Sequence, residues 1–133
     1  MKKLIFTGSG VALVTPMKKD GSINYDVLSN LIEFHISNGT DAIIACATTG
    51  ECPVLSHDEH CKAVKFVVDK VNKRVPVIAS SGSNDTNYAL ELSRSIQDLG
   101  ADALLMVTPY YNKTSQKGLV HHYNYIADRV DLP

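Results

Sequence analysis

The 133-residue chain is 44% hydrophobic and 20% charged, with a formal net charge of −1, the balance and length of one soluble globular domain. That balance lacks the basic excess of a nucleic-acid binder, and no apolar run approaches the length needed to cross a membrane. The opening Met1-Lys2-Lys3-Leu4-Ile5-Phe6 has no long apolar stretch of the secretory kind, and Cys46, Cys52 and Cys61 read as free thiols of a reducing cytoplasm.

Taken in chain order, short apolar runs alternate with amphipathic stretches. The runs at 11–14, 42–45, 75–79 and 103–107 lack polar alternation, which is how strands covered on both faces read. The first helix is predicted after the Asp20-Gly21 turn, with Asn24 as N-cap and Val27, Leu28, Leu31, Ile32 and His35 inward, ending at Asn38-Gly39. The second opens on the capping box Ser56-His57-Asp58-Glu59 and runs through Val64, Val67 and Val68 to the cations Lys73 and Arg74. The third starts near Asn84-Asp85, carries Ala89, Leu92, Ile96 and Leu99, and stops at Gly100. The fourth starts near Thr114-Ser115 and carries Leu119, Tyr123, Ile126 and Val130.

Gly39-Thr40-Asp41-Ala42 echoes Gly100-Ala101-Asp102-Ala103, and Val14-Thr15-Pro16 echoes Val107-Thr108-Pro109. Both offsets lie near multiples of about 30 residues, the size of one βα unit. Four such units in succession predict a parallel α/β sheet. An open doubly wound sheet and half of a (β/α)₈ barrel both fit. Asp131-Leu132-Pro133 resembles Arg74-Val75-Pro76, which precedes the third strand. A fifth strand is therefore expected next, and residues 1–133 read as the N-terminal half of a barrel.

Ligands of parallel α/β folds bind beyond the carboxyl ends of the strands. There the sequence places Thr15-Pro16, then Ala47-Thr48-Thr49-Gly50-Glu51, then Ser80-Ser81-Gly82-Ser83-Asn84, then Thr108-Pro109-Tyr110-Tyr111-Asn112. Hydroxyls and backbone amides on one rim suit a small carboxylate, and phenols beside them can relay protons. Taken singly, each loop is also ordinary turn chemistry.

Together these loops resemble a family. Ala47-Thr48-Thr49-Gly50-Glu51 is similar to the TTGE signature of the dihydrodipicolinate synthase and N-acetylneuraminate lyase superfamily. Val107-Thr108-Pro109-Tyr110-Tyr111-Asn112-Lys113, with Ser115-Gln116-Lys117-Gly118-Leu119, resembles the synthase branch, as do Thr7-Gly8-Ser9-Gly10-Val11-Ala12 and the segment from Arg74 to Ala79. The resemblance implies a TIM barrel and a class I aldolase-type lyase of the diaminopimelate route to lysine. Its substrates would be pyruvate, held as a Schiff base on a lysine, and aspartate semialdehyde; no cofactor or metal is implied. Thr48 would be a relay hydroxyl and Thr49 would bind the pyruvate carboxylate. Tyr111 would complete the relay by reaching into a neighbouring subunit of a homo-oligomer, a homotetramer by the same resemblance. Asn84, Tyr110 and His57 match a lysine-feedback site, where Tyr88 replaces the family's glutamate; weak feedback is expected.

The ten lysines all fall in termini, turns or helices, whereas a Schiff base needs a neutral amine desolvated inside the barrel. The chain is therefore expected to be inactive alone, and half a barrel is expected to self-associate through its open edges. Ala47 stands where the family has glycine, and Cys52 where it has a small residue. A non-catalytic half-barrel that pairs with another chain, and another pyruvate-type aldolase, are the alternatives. Cys52, His57, His60 and Cys61 crowd together, but their spacing matches no common zinc pattern. A buried Cys61 with exposed histidines is the expected arrangement.

Overall fold

The computed structural model describes residues 4–133; Lys2 and Lys3, with the start of the N-terminal segment read above, lie outside the described residues. Strands β1 (Gly10–Ala12), β2 (Ala42–Ala45), β3 (Val77–Ser80) and β4 (Ala103–Leu105) alternate with helices α1 (Tyr25–Ser37), α2 (His57–Val71), α3 (Thr86–Asp98) and α4 (Gln116–Ala127). All three strand pairings are parallel and the order is β1-β2-β3-β4. A doubly wound sheet reverses its strand order at a switch point. This sheet never does, so successive right-handed crossovers stack the helices on one face. The chain is thus α/β, with four βα units in the arrangement of half a barrel.

The register assigns the two faces. Ile43 pairs with Val77 and Ala45 with Ala79, and all four are buried beneath the helices with Leu13, Ile32, Val64, Val67 and Ile96. Ile32, Ile43, Ile96 and Val64 are fully enclosed, and each such side chain contributes about 1.5–3 kcal/mol of hydrophobic stabilisation. A smaller cluster of Ala89, Leu90 and Ile126 joins α3 to α4. On the opposite face the chain leaves apolar surface open. Val14 is 48% exposed, Leu105 42% and Val107 38%.

Local chemistry sets the helix ends. Asn24, Ser56, Asp85 and Ser115 each accept a backbone N–H at their N-cap, and Ser56 with Glu59 forms the full capping box. At the end of α2, Arg74 donates to Val71 O and Lys70 O and grips Glu33 of α1 with both terminal nitrogens at 2.8 Å. That pairing, with Lys70 3.0 Å away, pulls the Glu33 carboxyl down to about 2.

The repeated Gly-x-Asp joints share one geometry. Gly39 and Gly100 have φ of +82° and +90°, a region glycine enters without a Cβ penalty. Two residues on, Asp41 accepts Ser9 N–H at 2.8 Å and Asp102 accepts Val77 N–H at 2.9 Å. Each carboxylate thus fastens the preceding strand in the sheet to the one about to begin.

Several sequence-based expectations shift. β1 starts and stops earlier than 11–14, although Leu13 N–H still reaches Ile44 O. β3 begins at Val77 rather than at 75, because Pro76 has no N–H for the ladder and contributes only its carbonyl, to Ile43 N–H. β4 ends at Leu105 rather than at 107. Val27 faces solvent at 42% exposure, and Tyr25 packs in its place against Phe66. Beyond α4 the chain returns to the outer side of β4, where Leu104 N–H donates to Pro133 O at 2.9 Å. Among the described residues no helix is long and apolar enough to cross a membrane.

Candidate active site

All four strands end on one rim. After β2 the chain makes a 3₁₀ turn, Thr48–Gly50. Gly50 N–H and Cys52 N–H both bond Ala47 O, and Glu51 N–H bonds Thr48 O. Among the described residues, the amides of Thr48 and Thr49 donate to no protein acceptor, as the first amides of a helical turn must. Both threonines are exposed. The turn therefore offers two hydroxyls and two free N–H groups side by side. Ala47 has φ −85°, so its methyl sits on ordinary backbone. The left-handed residues are its neighbours Cys46 and Glu51.

After β3, Gly82 passes under the exit of β4. A Cβ there would lie 2.3 Å from Val107 N, so only glycine fits. After β4 comes the tyrosine loop. Asn112 N–H bonds Tyr110 O at 2.9 Å across Tyr111, whose φ is +69°. This is a γ-turn centred on a side-chain-bearing residue in the left-handed region, a costly conformation that surrounding contacts must hold. Asn112 Nδ2 supplies one such contact, donating to Asn84 O at 3.0 Å. The Tyr111 side chain is completely exposed and points away from the protein.

Between the rim and helices α2 and α3 lies a cavity of about 400 Å³. Thr48 opens onto it, with Cys52, His60, Ser80, Ser83, Tyr88 and Tyr110 as the rest of its polar lining. No carboxylate, lysine or arginine lines it. Burial raises the Tyr88 phenol and the Cys52 thiol and lowers the His60 imidazole, each shift favouring the uncharged form. His60 is 4% exposed, and its Nε2 donates to Ser80 O at 2.9 Å. His57 does not line the cavity; it stands behind Tyr88, ring centroids 5.9 Å apart and edge-on.

The structure therefore brings Thr48 and Tyr110 to one space, sets Thr49 beside Thr48 on the same turn, and leaves Tyr111 outside. Asn84 holds the tyrosine loop through its backbone carbonyl. The expectation of a buried Cys61 with exposed histidines is reversed at His60, which fills the inward i, i+4, i+7 row with Val64 and Val67. That spacing was present in the sequence. Cys61 is half-buried, its Sγ 3.6 Å from His57 Nε2. Among the described residues no three His, Cys, Asp or Glu side chains converge to hold a metal ion.

The model of the dihydrodipicolinate synthetase family matches residues 5–133. A 4-hydroxy-tetrahydrodipicolinate synthase of Acetivibrio thermocellus is 56% identical over 133 residues, all of this chain and 45% of that protein. The crystal structure of a chloride-inhibited dihydrodipicolinate synthase from Acinetobacter baumannii, complexed with pyruvate, superposes with a TM-score of 0.95 at 51% identity, covering 98% of this chain and 44% of that one. A monomeric dihydrodipicolinate synthase variant gives 0.93 at 41%, covering 96% and 42%. The chain thus spans less than half the length of these relatives.

Proposed function

The chain belongs to the dihydrodipicolinate synthetase family, and from that premise we propose that residues 1–133 supply the first four βα units of a Schiff-base lyase. It condenses pyruvate with aspartate semialdehyde to 4-hydroxy-tetrahydrodipicolinate, on the cytoplasmic diaminopimelate route to lysine. The reading rests above all on one observation: the Thr48–Thr49 turn and the tyrosine loop leave parallel strands at the same rim.

In this reading Thr49 and the free amides of its turn bind the pyruvate carboxylate through charge-assisted hydrogen bonds. Thr48 passes a proton as its hydroxyl accepts one and donates another. Tyr111 serves a neighbouring copy in a homo-oligomer, a homotetramer by family resemblance. Its full exposure and its left-handed backbone support that role. The nucleophile comes from elsewhere. Lys18, Lys19, Lys62, Lys65, Lys70, Lys73, Lys113 and Lys117 lie on turns and helices, none on a strand, so none has the dry setting that yields a neutral amine. The cavity lined by Tyr88 offers no carboxylate to pair with an ammonium group, which supports weak feedback by lysine. A second reading, a non-catalytic half-barrel that pairs with another chain, draws on the same lack, among the described residues, of a strand-borne lysine.

The test joins these 133 residues to the remaining sequence of the Acetivibrio thermocellus relative. The joined protein is expected to condense the two substrates and to be trapped covalently by borohydride with pyruvate. The 133-residue chain alone should do neither. Replacing Thr48 by valine in the joined protein should lower kcat on the order of a hundredfold, the scale of a lost proton-transfer group. A folded but inactive joined protein would favour the pairing scaffold instead.

A further inference from the structure

The turn carrying Thr48 and Thr49 is bonded internally at Ala47 O and Thr48 O, but its last carbonyl, Gly50 O, faces away from that network. It meets the exit of β1, where Thr15 donates its hydroxyl proton to Gly50 O at 2.7 Å. Thr15 is 7% exposed and Gly50 is buried, so water does not compete for the bond. The fit has no slack. A Cβ on Gly50 would lie 3.0 Å from both Leu13 O and Thr15 Oγ1. Leu13 is itself fixed by its N–H bond to Ile44 O at 2.9 Å. Cys46 and Glu51, flanking the turn, have φ of +50° and +56°, conformations that persist only where the surroundings impose them.

We infer that Thr15 is a positioning residue for the substrate turn, holding the Gly50 carbonyl so that Thr48 and Thr49 present their hydroxyls and amides to the rim. It touches no substrate. The inference rests on the reading that this turn receives the pyruvate carboxylate. Removing the hydroxyl leaves a buried carbonyl without a donor, and the turn recovers a partner only by moving toward water. Such a move displaces Thr49 and the amides that bind the pyruvate carboxylate, together with the Thr48 hydroxyl that passes a proton, and leaves the approach of the second substrate untouched.

The experiment compares Thr15→Val, which keeps the shape and loses the donor, with Thr15→Ser, which keeps the donor. In the joined protein described above, Thr15→Val should lower kcat/KM for pyruvate roughly ten- to a hundredfold, the scale of a small displacement of a binding group. The loss should appear as a higher KM for pyruvate together with a lower kcat, with KM for aspartate semialdehyde within about twofold and Thr15→Ser close to the parent. Amide hydrogen exchange supplies a readout independent of turnover. The Glu51 and Cys52 amides should exchange faster in Thr15→Val and at the parental rate in Thr15→Ser. A valine variant with lower thermal stability but an unchanged KM for pyruvate would reduce Thr15 to a structural residue. If the parent shows no turnover, the functional reading fails by itself, and unchanged exchange at Glu51 and Cys52 would then overturn the role of Thr15 separately.

Discussion

Replacing Gly82 by alanine tests how closely the loop after β3 is fitted against β4. The added Cβ would sit 2.3 Å from Val107 N, 2.9 Å from Val107 Cγ1 and 3.0 Å from Met106 C. Two of those three neighbours are main chain, which cannot rotate aside as a flexible side chain can. An ordinary contact requires the loop and the β4 exit to part by roughly an ångström, and overpacking of this kind costs about 1–3 kcal/mol. For a chain of this length each kcal/mol lowers Tm by about 3–6 °C, so a fall of roughly 5–15 °C is expected. Thermal unfolding by circular dichroism measures it. The displacement should also loosen the tyrosine loop, which Asn112 ties to Asn84 two residues beyond Gly82. Faster exchange of the Asn112 amide would report that. A Gly82→Ala protein with parental Tm and parental exchange would refute the packing argument.

The neighbouring position should respond in the opposite sense. Ser81 is fully buried and its hydroxyl has no hydrogen-bond partner among the described residues, so Ser81→Ala should leave stability unchanged or raise it by about 1 kcal/mol; a clear loss in a urea titration would mean the hydroxyl is satisfied by bound water. The Glu33 carboxyl is held at about 2 by Arg74 and Lys70, against an ordinary value of 4.5. Its folded value is depressed, so its contribution is complete above pH 4.5 and is lost as pH falls toward 2. Glu33→Gln should flatten the acid limb of the stability profile in that window, and an unchanged limb would show the pair to be inert.

The parts of the fold that the sequence made plain are those governed by chemistry within a few residues. The capping box at Ser56, the N-cap at Asp85 and the left-handed stop at Gly100 depend on neighbours in the chain, and each stands where local pattern puts it. The strand ends are set by pairing partners far away in sequence, which is why β3 yields its first residues to Pro76. Val27 and Tyr25 exchange roles because the packing of α1 on α2 is decided by Phe66, which periodicity on α1 alone does not reveal. At the rim, the loops bearing Thr48 and Tyr110 were legible from their order along the chain. The outward setting of Tyr111 was legible only through the family resemblance, because it follows from a γ-turn that local pattern does not show, and the burial of His60 was missed because it answers to a carbonyl of β3.

The Gly-x-Asp joints bear on how this chain tolerates changes in length. Because each aspartate reaches back to a neighbouring strand, the count of residues from glycine to strand is fixed. Side chains alternate between faces at every step. One residue inserted between Gly100 and Ala103 would therefore rotate Leu104 out from under the helices and turn its neighbours inward. Length variation among chains built on this plan should accordingly fall in the rim loops, leaving the opposite pole of the sheet invariant in length.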